Sequence, residues 1–504
     1  MKKKLCLLGI SLMLFCGNML AQNSPTAEPE HYTADKETLD KHPVAPWWNE
    51  SKFGIMLHHG VYSVPAYNDT AATKLNPFFG YAVWYPYYMD RSPFHYRLRK
   101  HHKETYGKDF VYDDFIPMWK PDKYDAKEIV DLVVASGAKY FAYPAKHHDG
   151  ICNWDTKTTG RNTVDMNPHR DFLKETWIEA EKTDLINGLY FTVPEWYNPA
   201  TPKAMMRKPS KSKEVTFVSR QMGYAAFSYK HKPRNAFTKE PVPYTGQSDT
   251  IKDFASQILK PQLYELMNEY KPSFWYLDIG GNEQYLKMNQ WMADYYNFAK
   301  IHNPEGVMVN DRASDIDAHH DWNTTEFHSG VPLLPFDKVD QVQRCCVAYS
   351  EQDPVWKDGT GIVKILLDQV ELGGNLTLMW APKKDGSIAQ QVKDALIPTG
   401  KWLKIYGDGV YGSTIMDGFN TKIKDEEYYT KAKDGSIYVF YPKNQSSVII
   451  RQKINFGPNT KIELVGKNKT LTAKKVDGGY QIDVPAELVD RKTEVNYGAI
   501  RIVQ

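Results

Sequence analysis

Phe274-Trp275-Tyr276-Leu277-Asp278-Ile279-Gly280-Gly281 is an aromatic, apolar run that ends on a carboxylate and passes into two glycines. Phe274 to Leu277 has the composition of a buried strand, so Asp278 falls at its C-terminal end, with Tyr276 on the same face. The arrangement recurs along the chain. His58 follows Phe53 to Leu57, His147 follows the strand that begins at Tyr140, Glu195 follows Gly188 to Val193, and Asp311 follows Val307 to Val309. Amphipathic segments lie between these runs. Asp125 to Gly137 carries Ile129, Val130, Val133 and Val134 on one helical face, with Gly137 as the stop. Phe172 to Ala180, the stretch marked by Phe254, Ile258, Leu259, Leu263, Leu266 and Met267, and Ile362 to Val370 read the same way, the last leading into strand-like Asn375 to Trp380. Strand–helix alternation predicts a parallel α/β fold. An open doubly wound sheet also satisfies the alternation. Polar residues spread over so many strand ends favour a closed (β/α) barrel of the TIM type, over residues 46–412, with its chemistry at the C-terminal face.

Outward from the barrel the pattern changes. Ser436 to Tyr441, Ser447 to Arg451, Lys461 to Val465, Tyr480 to Val484 and Ala499 to Val503 are short, β-branched or aromatic, and separated by turns such as Asp477-Gly478-Gly479. They predict an all-β sandwich over residues 413–504. At the other end, Lys2-Lys3-Lys4, the apolar run Leu5 to Phe15 and the small residue Ala21 describe a signal peptide over residues 1–21, cleaved after Ala21. The protein is then exported, to the periplasm or the cell surface; Cys16 raises lipidation as an alternative, with Phe15 a poor residue before such a site. Residues 22–45 read as a loose polar lead-in. Beyond the signal, Cys152, Cys345 and Cys346 are too few to build a disulfide framework and read as free buried thiols.

The 504 residues carry a formal net charge of +2 and no long basic run, so nothing marks a nucleic-acid footprint. The only long apolar stretch is at the extreme N-terminus, which excludes a polytopic membrane protein. Aromatic residues make up 13% of the chain. Most belong to the core, and the rest suit walls that stack on sugar rings.

A carboxylate at a strand end, beside an aromatic residue and a permissive turn, suits a nucleophile that attacks a sugar carbon. Such chemistry needs a second carboxyl group as proton donor. Glu326, in Asn323-Thr324-Thr325-Glu326-Phe327-His328, lies one strand–helix–strand step downstream. Glu195 competes for the role, Glu283 less strongly, and spacing alone does not choose. The histidine pairs His58-His59, His101-His102, His147-His148 and His319-His320 lack the separations that bring two imidazoles onto one metal, so no metal and no cofactor are expected. Hydrogen bonding to substrate hydroxyls is the better role for the strand-end pairs, and His101-His102 is expected to face solvent.

These motifs occur in ordered blocks: Trp47-Trp48-Asn49-Glu50-Ser51-Lys52-Phe53-Gly54-Ile55-Met56-Leu57-His58-His59-Gly60-Val61-Tyr62-Ser63-Val64-Pro65, Lys146-His147-His148-Asp149-Gly150, Gly188-Leu189-Tyr190-Phe191, Trp275-Tyr276-Leu277-Asp278, Val309-Asn310-Asp311-Arg312, Thr325-Glu326-Phe327-His328, and Gly373-Gly374-Asn375-Leu376 with Asp385-Gly386. Together they resemble the α-L-fucosidases of glycoside hydrolase family 29. The resemblance implies a barrel followed by a β-sandwich, no cofactor, and retaining hydrolysis of α-L-fucosides in fucosylated glycans. It implies Asp278 as nucleophile and Glu326 as acid/base, with His58, Trp84, His147, His148, Tyr190, Tyr276 and Arg312 lining the sugar pocket. Three positions depart from the family pattern: His59 and Tyr276 stand where Trp is usual, and Val83 where Glu is usual. Val83 cannot hydrogen-bond a sugar hydroxyl, which implies altered specificity, with a related sugar such as an α-L-galactoside as the alternative substrate. A catalytically silent sugar-binding protein and a metal-dependent barrel hydrolase are the remaining alternatives.

Overall fold

The computed structural model describes residues 28–75, 77–90, 95–201, 234–314, 319–325, 332–344, 347–423, 426–467, 469–489 and 493–504. The expected signal peptide, Glu326, Cys345 and Cys346 therefore lie outside the described residues. No helix among those residues is long and apolar enough to cross a membrane.

Among the described residues eight parallel strands follow one another: β1 (Phe53–Leu57), β2 (Tyr140–Lys146), β3 (Ile186–Thr192), β4 (Phe274–Asp278), β5 (Met308–Val309), β6 (Asn323–Thr325), β7 (Phe336–Gln341) and β8 (Asn375–Trp380). Their order in the sheet is β5-β4-β3-β2-β1-β8-β7-β6. A parallel bridge between Asn310 and Trp322 joins its two ends, and the Asp321 N–H donates to the Val309 carbonyl at 2.8 Å. The sheet is thereby a TIM-like barrel.

Local sequence explains the surrounding helices. Asp125, Asp171 and Asp358 each accept a backbone N–H of the first turn they precede, at 3.1, 2.9 and 2.8 Å, and so start the helices Ala126–Ala135, Phe172–Ala180 and Gly359–Val370. Glycines make room for aromatic rings between strands. A Cβ at Gly54 would stand 2.0 Å from the Tyr140 ring, and one at Gly188 would stand 2.4 Å from Phe274.

Strands β6 and β7 were not legible as strands, because Asn323-Thr324-Thr325 and Phe336-Asp337-Lys338-Val339-Asp340-Gln341 are polar. One of these polar residues is satisfied inside the barrel. Asp337 is fully buried and accepts from the Tyr276 hydroxyl at 3.0 and 3.1 Å, Thr377 Oγ1 at 2.7 Å and Trp322 Nε1 at 3.2 Å.

Beyond the barrel, strands β9 (Tyr428–Lys431), β10 (Ile437–Pro442), β11 (Ser447–Ile450), β12 (Lys461–Leu464), β13 (Lys469–Thr470), β14 (Ala473–Val476), β15 (Gly479–Asp483) and β16 (Tyr497–Val503) form two antiparallel sheets, β13-β12-β16-β10-β9 and β11-β15-β14. Alternation along β10 shows how the module docks. Val439 and Tyr441 enter its own core with Val448, Ile482 and Ile500, whereas Tyr438 and Phe440 join the barrel core. Phe440 packs 5.7 Å from Trp402, whose Nε1 donates to the Tyr497 carbonyl at 2.7 Å.

Two expectations need correction. The lead-in is not loose where it is described: Tyr32 and Leu39 are buried, and the Tyr32 N–H donates to Asn297 Oδ1 at 2.8 Å, tying the segment to the helix Met288–His302. Of the pair His101-His102, His102 does not face solvent. It is buried on the helix Tyr96–Tyr106, with Nε2 3.0 Å from the Phe110 carbonyl and Nδ1 2.9 Å from the Tyr85 hydroxyl. A carbonyl can only accept, so Nε2 carries the hydrogen and Nδ1 takes one from Tyr85.

Candidate active site

Strand ends β1 to β5 converge on Asp278. The Tyr190 hydroxyl donates to its Oδ2 at 2.8 Å, His148 Nε2 lies 3.3 Å from the same oxygen, and an Arg312 guanidinium nitrogen donates to Oδ1 at 3.1 Å. Burial acts to raise the carboxyl pKa, but the His148 hydrogen bond, the Arg312 charge and the Tyr190 hydroxyl outweigh it, holding the group well below the usual carboxylate range. Asp278 is thus an anion at any working pH. Three donors leave acceptor capacity on a carboxylate with about four lone-pair sites, and 14% of the side chain stays exposed to an incoming ligand.

The walls are imidazoles and aromatic rings. His148 Nδ1 lies 3.0 Å from the Pro194 carbonyl, and the ring stacks on Trp196 at 4.9 Å and meets Trp84 edge-on at 6.0 Å. His147 stacks on Tyr190 at 5.6 Å, and His58 meets Tyr190 at 4.9 Å and His147 at 5.7 Å. Both rings are buried. Burial lowers the His58 imidazole to about 3 against the attraction of Asp278. Burial, with His148 and His58 nearby, takes His147 well below the ordinary histidine value. Both are therefore neutral, each with one N–H and one lone pair to offer. Among the described residues, neither nitrogen of His58, nor His147 Nδ1, nor the Tyr62 hydroxyl has a hydrogen-bond partner. A buried polar atom left so costs about 1–3 kcal/mol, and these atoms sit together where a polyhydroxylated ligand would satisfy them.

Of the candidates read from sequence, Asp278, His58, His147, His148, Tyr190, Arg312 and Trp84 come together here. Tyr276 is committed elsewhere: it is buried and its hydroxyl donates to Asp337. His59 points the other way, stacked on Tyr124 at 4.8 Å and packed against Trp119 and Phe172. Val83 is buried in the turn Ala82–Trp84. Glu326 follows directly on β6 in the chain and lies outside the described residues.

Its competitors are committed elsewhere. Glu195 is buried and accepts from Lys146 Nζ at 2.6 Å, Asn198 Nδ2 at 2.7 Å and the Tyr244 hydroxyl. Glu283 caps the next helix, accepting the N–H groups of Met288 and Asn289 at 3.1 and 2.9 Å. Trp196 and Thr192, which contact His148, were missed. Strand period would have found Thr192, two residues beyond Tyr190; nothing in the sequence marks Trp196.

Asp337, also missed, is pushed up to about 7 by burial, which its hydrogen bonds from Thr377 and Tyr276 only partly offset. A carboxyl raised above its unfolded value is more easily protonated in the folded state. Its contribution to stability is fully present below about pH 4 and is lost as pH rises toward 7. Melting temperature measured from pH 5 to 8 should therefore fall more for wild type than for Asp337→Asn, which has no proton to lose. Parallel curves for the two proteins would refute this.

The family model described as alpha-L-fucosidase matches residues 19–408. Tissue alpha-L-fucosidase of Rattus norvegicus is 28% identical over 449 residues, 87% of this chain and 85% of the relative. The Homo sapiens tissue enzyme is 27% identical over 468 residues, 90% and 88% of the two chains. Among solved structures, Thermotoga maritima alpha-fucosidase in complex with fucose is similar at 26% identity and TM-score 0.71, over 94% of this chain and 100% of that one. An alpha-L-fucosidase of Bacteroides thetaiotaomicron shares the fold at 18% identity and TM-score 0.61, over 95% and 97% of the chains.

Proposed function

This chain belongs to the α-L-fucosidase family of glycoside hydrolases, and on that premise we propose that it releases terminal α-L-fucose from glycans with retention, Asp278 acting as nucleophile and Glu326 as acid/base. Asp278 attacks the anomeric carbon as the glycosidic C–O bond breaks, and Glu326 gives its proton to the departing oxygen. The sugar is then held as an ester of Asp278. Glu326, now a carboxylate, takes a proton from water, whose oxygen attacks the same carbon and frees the Asp278 carboxylate. Two displacements at one carbon restore its configuration.

The observation that carries this reading is the carboxylate of Asp278, held ionised by Tyr190, His148 and Arg312 beside the buried His58 imidazole, which has no hydrogen-bond partner among the described residues. His58, His147, His148 and Arg312 bind the sugar hydroxyls, and Tyr190 and Trp84 form the wall. Proton NMR of aryl α-L-fucoside hydrolysis tests the mechanism: α-L-fucose should appear first and mutarotate later. The β anomer appearing first would overturn it. Run beside it, the aryl α-L-galactoside reads specificity. Val83 offers no hydrogen bond where a glutamate would, so a lost sugar contact lowers kcat/KM on the fucoside by about 5- to 150-fold relative to a glutamate-bearing pocket. Faster hydrolysis of the galactoside would identify that sugar as the preferred substrate.

A further inference from the structure

Away from Asp278, a second cluster of titratable side chains joins three separate parts of the chain. His42 comes from the N-terminal segment, His319 and Asp321 from the connection between β5 and β6, and Tyr296 from the helix Met288–His302. His42, His319 and Asp321 keep only 6%, 5% and 1% of their side-chain surface exposed. His42 Nδ1 lies 2.8 Å from Asp321 Oδ1, and His319 Nε2 lies 3.2 Å from that same oxygen. One donor atom from each residue falls within 4.8 Å of the others.

We propose that His42, His319 and Asp321 form a binding site for a divalent transition-metal ion, zinc by its donor set, that fastens the N-terminal segment to the barrel. Two imidazole nitrogens and one carboxylate oxygen are a zinc donor set, with a fourth position for water. Ligands at about 2.0 Å in tetrahedral array stand roughly 3.3 Å apart. The two contacts to Asp321 already approach that spacing, and side-chain rotation closes the widest pair.

The surrounding groups are those a metal site requires. The other nitrogen of His319, Nδ1, lies 2.9 Å from Asp40 Oδ1, so a neutral ring donating there turns its Nε2 lone pair toward the ion. Asp321 Oδ2 accepts from the Tyr296 hydroxyl at 2.9 Å and from the Val309 N–H at 2.7 Å, which aims Oδ1 at the imidazoles. The His42 ring is clamped against Tyr296, stacked at 3.7 Å. Two carboxylates, Asp321 and Asp40, balance the two charges of the ion. Without one, His319 needs a hydrogen on both nitrogens to satisfy both carboxylates. The ring pairs conceal this site in sequence, because only one member of His319-His320 takes part and its partner His42 is remote in the chain.

Metal analysis and zinc titration of the full chain test the proposal. After removal of loosely bound ions, the protein should retain, or take up on titration, one zinc per chain. Saturating zinc should raise the melting temperature by about 3 °C or more, and EDTA should reverse the rise. Cobalt(II) bound in its place should show visible d–d absorption. His42→Gln, on the segment being fastened, should lose uptake and the thermal response; His319→Gln provides a second variant should the first fail to fold. Wild type that neither holds nor takes up zinc, or a zinc response equal in wild type and His42→Gln, would overturn the site and leave a proton-bridged ion-pair network.

Discussion

Asp278→Ala is expected to lower kcat/KM on an aryl α-L-fucoside by on the order of 10⁴-fold or more while the protein stays folded. A loss of that size is about 5–6 kcal/mol of transition-state stabilisation, more than the removal of any one hydrogen bond explains. The fold should survive because the carboxylate spends its interactions on groups that also have other supports. Arg312 stays partly exposed. Tyr190 remains buried among His58 and His147, and His148 keeps its Pro194 contact. Small anions enter the space the side chain leaves. Azide should therefore restore turnover of the variant and yield a fucosyl azide of inverted configuration, because a single displacement replaces two. Near wild-type turnover would remove Asp278 from the reaction altogether. The effect of Tyr190→Phe on the same assay should be much smaller, since His148 and Arg312 continue to hold the anion.

What was legible in the sequence follows the physics of burial. Strands β1 to β5 and β8 are apolar runs, and each is readable as such; the acid or imidazole that ends or follows β1 to β5 then marks the candidate face. Strands β6 and β7 escaped because their residues are polar; Asp337 of β7 faces the interior, where Tyr276, Thr377 and Trp322 donate to it. Composition cannot distinguish such a strand from a loop. The same network explains Tyr276. Strand alternation sets it on the face of Asp278, but does not reveal that its hydroxyl is committed to Asp337. The lead-in was illegible for another reason: its polar residues, among them Asp40 and His42, are matched by partners nearly the whole barrel away in sequence.

Glu326→Ala should cost about 10²–10⁴-fold on substrates whose leaving group needs a proton, and far less on aryl fucosides whose phenolate leaves unaided. With an activated substrate the first displacement proceeds, the ester of Asp278 accumulates for want of a base, and azide discharges it to a fucosyl azide of retained configuration. The stereochemistry of the two azide products thus separates the two carboxyl groups: inversion for Asp278→Ala, retention for Glu326→Ala. Glu195 provides the contrast. Its carboxylate neutralises Lys146, a cation without solvent exposure that also lies 4.4 Å from the centre of the Phe191 ring. Removing one member of such a pair strands the other as a buried charge and costs about 3–5 kcal/mol of stability. Glu195→Gln is therefore expected to lower the melting temperature steeply, with no dependence of the residual activity on leaving-group acidity and no response to azide. If Glu195→Gln instead stayed stable and gained activity with azide, and Glu326→Ala did not, the acid/base role would pass to Glu195 and Lys146 would become the group that tunes it.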